Sequence, residues 1–172
     1  MSKNKRTRLY ALTAGAMMAA LSIVLERFLP ITPPSNMMDI RISLSNVPII
    51  LASILVSPVI GAIAGVVSDI VGCFISGYAP FPLLTAAPLV MGFLPGVFLN
   101  KKGANPFFKV LLAVTVSHVF ASVLITTYGL SVMRGIAFIP MLVTRLASCG
   151  INLAIDVILV YLLLKTPLSK KI

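Results

Sequence analysis

Residues 59–76 read VIGAIAGVVSDIVGCFIS. Asp69 is the one formally charged side chain in that run. A continuous apolar stretch of this length is a helix that crosses a bilayer, which takes about 20 such residues. The residues do not alternate polar and apolar, which excludes a membrane β-barrel strand. Gly61, Gly65, Ser68 and Gly72 fall at i, i+4, i+7 and i+11. That spacing gathers them into a small-residue stripe along which a second helix can approach closely. Asp69 sits at the edge of the stripe, about 11 residues in and so roughly 16 Å deep, near the bilayer midplane. It is either a ligand or proton site or a buried structural carboxylate held by hydrogen bonds.

The rest of the chain has the same character. Of its 172 residues 59% are hydrophobic and 10% charged, with a mean hydropathy of +1.07. Soluble domains are about a quarter charged. A soluble enzyme, a disordered tail and a disulfide-rich secreted module are therefore excluded. After a basic tail at residues 1–8, apolar segments run over about 9–29, 46–56, 59–76, 83–99, 106–128 and 139–165. Pro30, Pro58, Pro80, Pro82, Pro106 and Pro140 mark or adjoin their boundaries, while Pro48, Pro88 and Pro95 fall inside helices or near their starts. The expectation is an all-α membrane protein: a single six-helix bundle in one domain, residues 1–172. The first segment is long and has no cleavage pattern, so it reads as a retained helix.

The net charge is +10. In a soluble chain this would raise nucleic acid as a partner; here the basic residues sit at segment ends, and no nucleic acid is expected. Lys3, Lys5, Arg6 and Arg8, then Lys101, Lys102 and Lys109, then Lys165, Lys170 and Lys171 all fall on one side of a six-span bundle. The positive-inside rule makes that side the cytoplasm, with both termini on it. The outer loops are then about 30–45, 77–82 and 129–138. Cys73 and Cys149 read as small core residues and form no zinc motif.

Polar groups within the spans are the candidates for function. Arg145, Ser148, Cys149, Asn152 and Asp156 share one face of the last segment, which should point into the bundle. Arg145 lies roughly 9 Å from the outer end, a depth suited to the floor of an outward-facing cavity. It either grips an anionic ligand or pairs internally with a carboxylate such as Asp69. Asp156, about 16 Å further in, reads as structural. Thr115, His118, Ser122 and Thr126 share a face of the fifth segment and read mainly as packing contacts, with His118 a lone histidine. Arg41, Asn46, Tyr78, Phe81, Tyr128 and Arg134 gather at the outer loops. Aromatics with arginines suit a planar anionic ligand, or else an interfacial aromatic belt. Ala11, Gly15 and Ala19, and separately Ala16 and Ala20, give the first segment two small-residue faces, one of which is available to a partner protein. No phosphate loop, H-E-x-x-H or G-x-S-x-G motif occurs. The chain is not read as an enzyme; no metal or cofactor is expected, and energy for active transport would come from another subunit.

In order and spacing these pieces resemble one family. Ala16–Leu25 followed by Arg27-Phe28-Leu29 is similar to its first helix with an AxxxA motif. Arg41-Ile42-Ser43 before Val47-Pro48-Ile49, then Pro58–Ala62 and Ser68–Gly72, resemble its second and third helices. Phe81-Pro82 with Thr85, and Gly129-Leu130-Ser131 with Gly135, Ala137-Phe138 and Arg145, resemble its later loops and sixth helix. The family is that of the S components, the substrate-binding subunits of energy-coupling factor (ECF) transporters, and the likeness is greatest to the folate group. Three stretches depart from the folate group's pattern: Ser45-Asn46, Pro82-Leu83-Leu84-Thr85 and Thr126-Thr127-Tyr128.

The resemblance implies a vitamin held near the outer face of the bundle by its first, third and fifth loops. It implies a multi-pass protein of a bacterial cell membrane, working with a transmembrane coupling subunit and two ABC-type ATPases. Ala16 and Ala20 would face the coupling subunit. With folate as the expected ligand, Arg41 and Arg145 would take its anionic or polar groups, Phe81 and Tyr128 would stack on its ring, and Asn46 would supply a hydrogen bond. Other vitamins (pantothenate, riboflavin, queuosine-type or similar), a self-sufficient secondary transporter and a membrane scaffold are the alternatives.

Overall fold

The computed structural model describes residues 3–28, 43–77, 79–99, 106–135 and 137–165. The described residues form helices and their connections, with no strand among them: α1 (Lys3–Phe28), α2 (Asn46–Leu55), α3 (Pro58–Ile75), α4 (Pro82–Leu99), α5 (Pro106–His118), a π-helical segment Val119–Thr126, α6 (Thr127–Arg134) and α7 (Phe138–Lys165). Leu9–Phe28, Pro58–Ile75, Pro82–Leu99, Phe107–Arg134 and Phe138–Lys165 are each long and apolar enough to cross a membrane.

The surface is apolar, and polar groups are held inside beside the apolar core. Met17 and Phe28 are 72% and 80% exposed, while Ser22, Ser53, Ser68, Ser117, Thr127 and Asp156 are buried. A bundle dissolved in lipid puts apolar side chains outward, because its solvent is hydrocarbon, and satisfies its polar groups within.

The α3–α4 contact follows from the stripe of small residues. Gly61, Gly65, Ser68 and Gly72 are all buried. A Cβ added at Gly61 would strike the carbonyl of Gly92, one at Gly92 would strike Gly61, and one at Gly65 would strike the Pro88 carbonyl. The backbones touch where no side chain stands between them. Pro88 and Pro95 lie inside α4 and interrupt its hydrogen-bond ladder. The Gly96 N–H donates instead to Ser53 Oγ of α2 at 2.9 Å, the kind of neighbouring-helix compensation that lets membrane helices carry proline.

α2 has 10 residues and so spans about 15 Å, half of a bilayer core of about 30 Å. It is packed among α1, α3, α4 and α7, with Val47–Ser53 buried. Val47, Ile50, Leu51, Met91, Val114 and Val160 form the main apolar core around it. The space that α2 leaves beyond its first residue is where the cavity lies.

Two boundaries differ from the sequence expectation. α1 begins at Lys3 rather than near residue 9, because its basic first turns extend the same helix. The fifth segment does not end at Tyr128: helix continues to Arg134 and stops at Gly135, whose φ of 64° closes it in the left-handed region. Residues 129–134, expected as loop, are helical because no glycine or proline pair breaks the run before Gly135.

Candidate functional site

Where the last half of α1, the start of α2, the last half of α3, the first half of α4, the π segment and the first half of α7 converge, the bundle holds a cavity of about 210 Å³. It lies at the end of the bundle opposite the start of α1 and the end of α7. Its wall is unusually polar for the interior of so apolar a chain. Ser22 and Glu26 come from α1, Ser45 and Asn46 from the start of α2, and Ser68 and Asp69 from α3. His118, Ser122 and Thr126 face them from the fifth span, Arg145 and Asn152 from α7. Ile49, Ala87, Pro88, Met91 and Ala121 supply apolar patches.

The polar groups are held in three linked sets. The turn that leads into α2 is fastened first. Ser43 N–H donates to Asn152 Oδ1 at 2.9 Å, Ser43 and Ser45 share a hydroxyl contact of 2.8 Å, and Ser22 Oγ donates to the Ser45 carbonyl at 2.8 Å. Asn152 Nδ2 in turn donates to the Ser148 carbonyl at 2.8 Å. Residues 43–46 are thus tied to α1 on one side and α7 on the other.

The second set lies beneath. Asn46 Nδ2 donates to Asp156 Oδ2 at 3.2 Å, and His118 Nε2 stands 2.8 Å from the same oxygen. Cys149 Sγ lies 3.9 Å from His118 Nδ1. His118 and Asp156 are 2% and 0% exposed. The third set is at the α3–α4 wall, where Thr85 Oγ1 donates to Asp69 Oδ2 at 2.7 Å. Every acidic residue among the described ones, Glu26, Asp69 and Asp156, therefore lies on the cavity wall or one hydrogen bond away from it.

The π segment shapes this wall. Its wider turn sets the groups of the fifth span that face the cavity, His118, Ala121, Ser122 and Thr126. Thr126 Oγ1 donates to the Ala121 carbonyl at 2.9 Å and Thr127 Oγ1 to the Ser122 carbonyl at 3.3 Å. These hydroxyls serve carbonyls five residues back, the spacing of a π turn. Such segments are rare and cluster at functional sites.

The structure brings together some of the residues expected from sequence and separates others. Asn46 and Arg145 both line the cavity. Arg41 lies outside the described residues, as does Tyr78. Phe81 and Tyr128 are not among the cavity-lining residues. Phe81 precedes α4 and its carbonyl accepts from the Leu84 and Thr85 N–H groups, capping that helix. Tyr128 is 57% exposed, on the opposite face of α6 from buried Thr127 and Leu130. Ala16 and Ala20 are exposed, whereas Gly15 and Ala19 are buried, Gly15 against Ile60. The reading of Asp156 as structural and of His118 as lone misses their mutual contact. Glu26 was not singled out, although an ionisable group in the last turn of an apolar span is a signal in itself.

A cavity walled by buried polar groups in a small helical membrane bundle has counterparts in known proteins. The model of the family described as "ECF-type riboflavin transporter, S component" matches residues 6–172. The chain belongs to this family of S components. It is 33% identical to the folate transporter FolT of Clostridium novyi (strain NT) over 147 residues, 85% of this chain and 83% of that one. In structure this S component is similar to FolT bound with folic acid, with a TM-score of 0.71, 26% identity, and coverage of 92% and 91% of the two chains. It is also similar to the S component for biotin from an ECF-type ABC transporter, at a TM-score of 0.72, 25% identity, and coverage of 96% and 95%. The S component is thus a multi-pass membrane protein that binds a vitamin substrate and works with an energy-coupling module; it is a binding subunit and not itself a catalyst.

Proposed function

We propose that this S component captures folate at the outer face of a bacterial cell membrane, for an uptake transporter driven by a transmembrane coupling subunit and two ABC-type ATPases. The observation that carries the substrate is the 33% identity to FolT over 85% of the chain. The cavity's chemistry supports it. A pterin carries N–H donors on one ring edge and folate carries carboxylates at its far end. Glu26, Asp69 and Asn46 offer acceptors for the ring, and Arg145 offers a cation for an anionic or carbonyl group. At about 210 Å³ the cavity is smaller than a drug-sized pocket of about 300–1,000 Å³. The ring end enters it and the rest of the vitamin lies at the mouth; Arg41 is the residue proposed for the carboxylates.

Calorimetry on the purified protein in detergent, with folate, riboflavin and biotin titrated separately, tests the reading. Folate is expected to bind with a micromolar or lower Kd and to raise Tm. Tight riboflavin binding without folate binding would favour the substrate in the family's description. Arg145→Ala is expected to weaken folate binding by tenfold or more while the protein stays folded, the loss of a charged hydrogen-bonding group being worth about 1.5–3 kcal/mol.

We place both termini in the cytoplasm. Lys109 and Lys165 stand at the end of the bundle away from the cavity, in keeping with the positive-inside rule, which turns the cavity outward. With Cys73 and Cys149 replaced by alanine, Lys165→Cys is expected to resist membrane-impermeant thiol reagents in intact cells and to react in inside-out vesicles.

A further inference from the structure

Asn46 opens α2 and lines the cavity. Left to itself, an asparagine amide can turn over and offer a ligand either N–H or C=O. Here one orientation is imposed from below. The amide meets Asp156 Oδ2 at 3.2 Å. That oxygen also meets His118 Nε2 at 2.8 Å. A carboxylate oxygen accepts from both, so the Asn46 atom facing it is the amide nitrogen and the imidazole hydrogen is on Nε2. Cys149 Sγ stands 3.9 Å from His118 Nδ1 on the other side of the ring. The two contacts at Asp156 Oδ2 agree on the placement of the Asn46 amide.

The support is rigid. His118 and Asp156 are 2% and 0% exposed, and they belong to different helices, α5 and α7. Turning the amide over would set two oxygens against each other in a buried site, which costs more than a hydrogen bond is worth. With one Nδ2 hydrogen given to Asp156, the amide is held in one orientation and Oδ1 is its acceptor for a substrate.

We infer that Asn46 Oδ1 is a specificity-determining acceptor for a ring N–H of the substrate, and that Asp156 and His118 are positioning residues that fix its polarity. The inference rests on reading the cavity as the vitamin site and deepens that reading. The ligand class is a heteroaromatic ring whose inserted edge carries N–H or NH₂ groups. Glu26 and Asp69 add acceptors on the same wall, so an edge of carbonyl oxygens meets acceptors and loses affinity.

The test is a double-mutant cycle on the full chain in detergent, with the Kd for folate measured by calorimetry and Tm recorded for each variant. Asn46→Ala and Asp156→Ala are each expected to weaken binding by about tenfold, the scale of one hydrogen bond. The double variant is expected to bind much more tightly than the product of the two single losses would give, since Asp156 reaches the inserted ring edge through Asn46. Multiplying losses overturn the inference. Asp156→Asn can keep an oxygen at the Oδ2 position and is expected to restore affinity to within about twofold. A tenfold loss in that variant overturns the inference even if Asp156→Ala does not fold. If the natural chain binds riboflavin in place of folate, the folate assignment fails and the same cycle, run on riboflavin, decides the role of Asn46; binding of biotin alone overturns the heteroaromatic ligand class. Binding of none of the three overturns both.

Discussion

Thr85 Oγ1 of α4 donates to Asp69 Oδ2 of α3 over 2.7 Å, and Asp69 lines the cavity. The bond joins the two helices that approach closest through Gly61 and Gly92, so the carboxylate is aimed by a rigid wall. Thr85→Val keeps the shape of the side chain and removes the donor. It is expected to lower folate affinity by about three- to tenfold, with a stability loss near 1 kcal/mol. Thr85→Ser should keep both. Calorimetry and thermal melts of the two variants side by side check this, and equal affinity in Thr85→Val would mean that Asp69 needs no orienting.

How far this wall could be read from sequence depends on which helix is asked. The stripe at Gly61, Gly65, Ser68 and Gly72 is legible because four small residues at helical spacing have one reading in lipid, and all four are buried. The face Arg145, Ser148, Asn152 and Asp156 is legible for a similar reason: it is the one polar side of an apolar helix, and it turns inward. His118 was not legible as part of a couple, because its partner Asp156 is 38 residues away and only the packing of α5 on α7 joins them. The π segment left no mark either, since one extra residue per turn does not change an apolar run of Val, Phe, Ala, Leu and Ile. Phe81 and Tyr128 are expected at the site from aromatic character and resemblance; neither is among the cavity-lining residues, and aromatic character alone does not fix which way a side chain near a helix end points.

Glycine positions along α3 and α4 differ sharply in what they tolerate. Gly61→Ala or Gly92→Ala puts a methyl group against the backbone of the facing helix. Backbone cannot swing aside as a long side chain can, so each is expected to cost about 1–3 kcal/mol and to lower Tm in detergent. Gly150→Ala meets nothing within 4 Å and should melt with the natural chain. A Gly61→Ala protein of unchanged Tm would show that α3 and α4 can separate without cost.

The widened turn between Val119 and Thr126 carries Ala121, Ser122 and Thr126 on the cavity wall. Deleting Val123 should return this stretch to ordinary α-helix, because a π turn is one residue longer than an α turn. The flanking helices keep their lengths, so the variant is expected to fold and insert. Ser122 and Thr126 then move relative to His118, and folate binding should fall by tenfold or more. Circular dichroism and a melt establish folding, and calorimetry reads the loss; retained affinity would mean that the π turn is incidental to the site.

α1 presents two small-residue faces with opposite fates. Gly15 and Ala19 are buried, Gly15 so closely that an added Cβ would press on the Ile60 side chain. Ala16 and Ala20 are exposed, on a helix whose exposed residues also include the large apolar Leu12, Met17, Leu21, Val24 and Phe28. Small residues are not needed against fluid lipid, whereas a close helix–helix contact needs them. Ala16→Trp and Ala20→Trp are therefore expected to leave Tm and the folate Kd within about twofold of the natural chain, since nothing inside the bundle is displaced, while uptake by cells expressing the whole transporter falls by tenfold or more. Gly15→Trp should behave in the opposite way, destabilising the subunit itself by overpacking. Measuring binding, melting and uptake for all three variants separates the faces. Uptake unaffected by either alanine substitution would remove this surface from the contact with the coupling subunit.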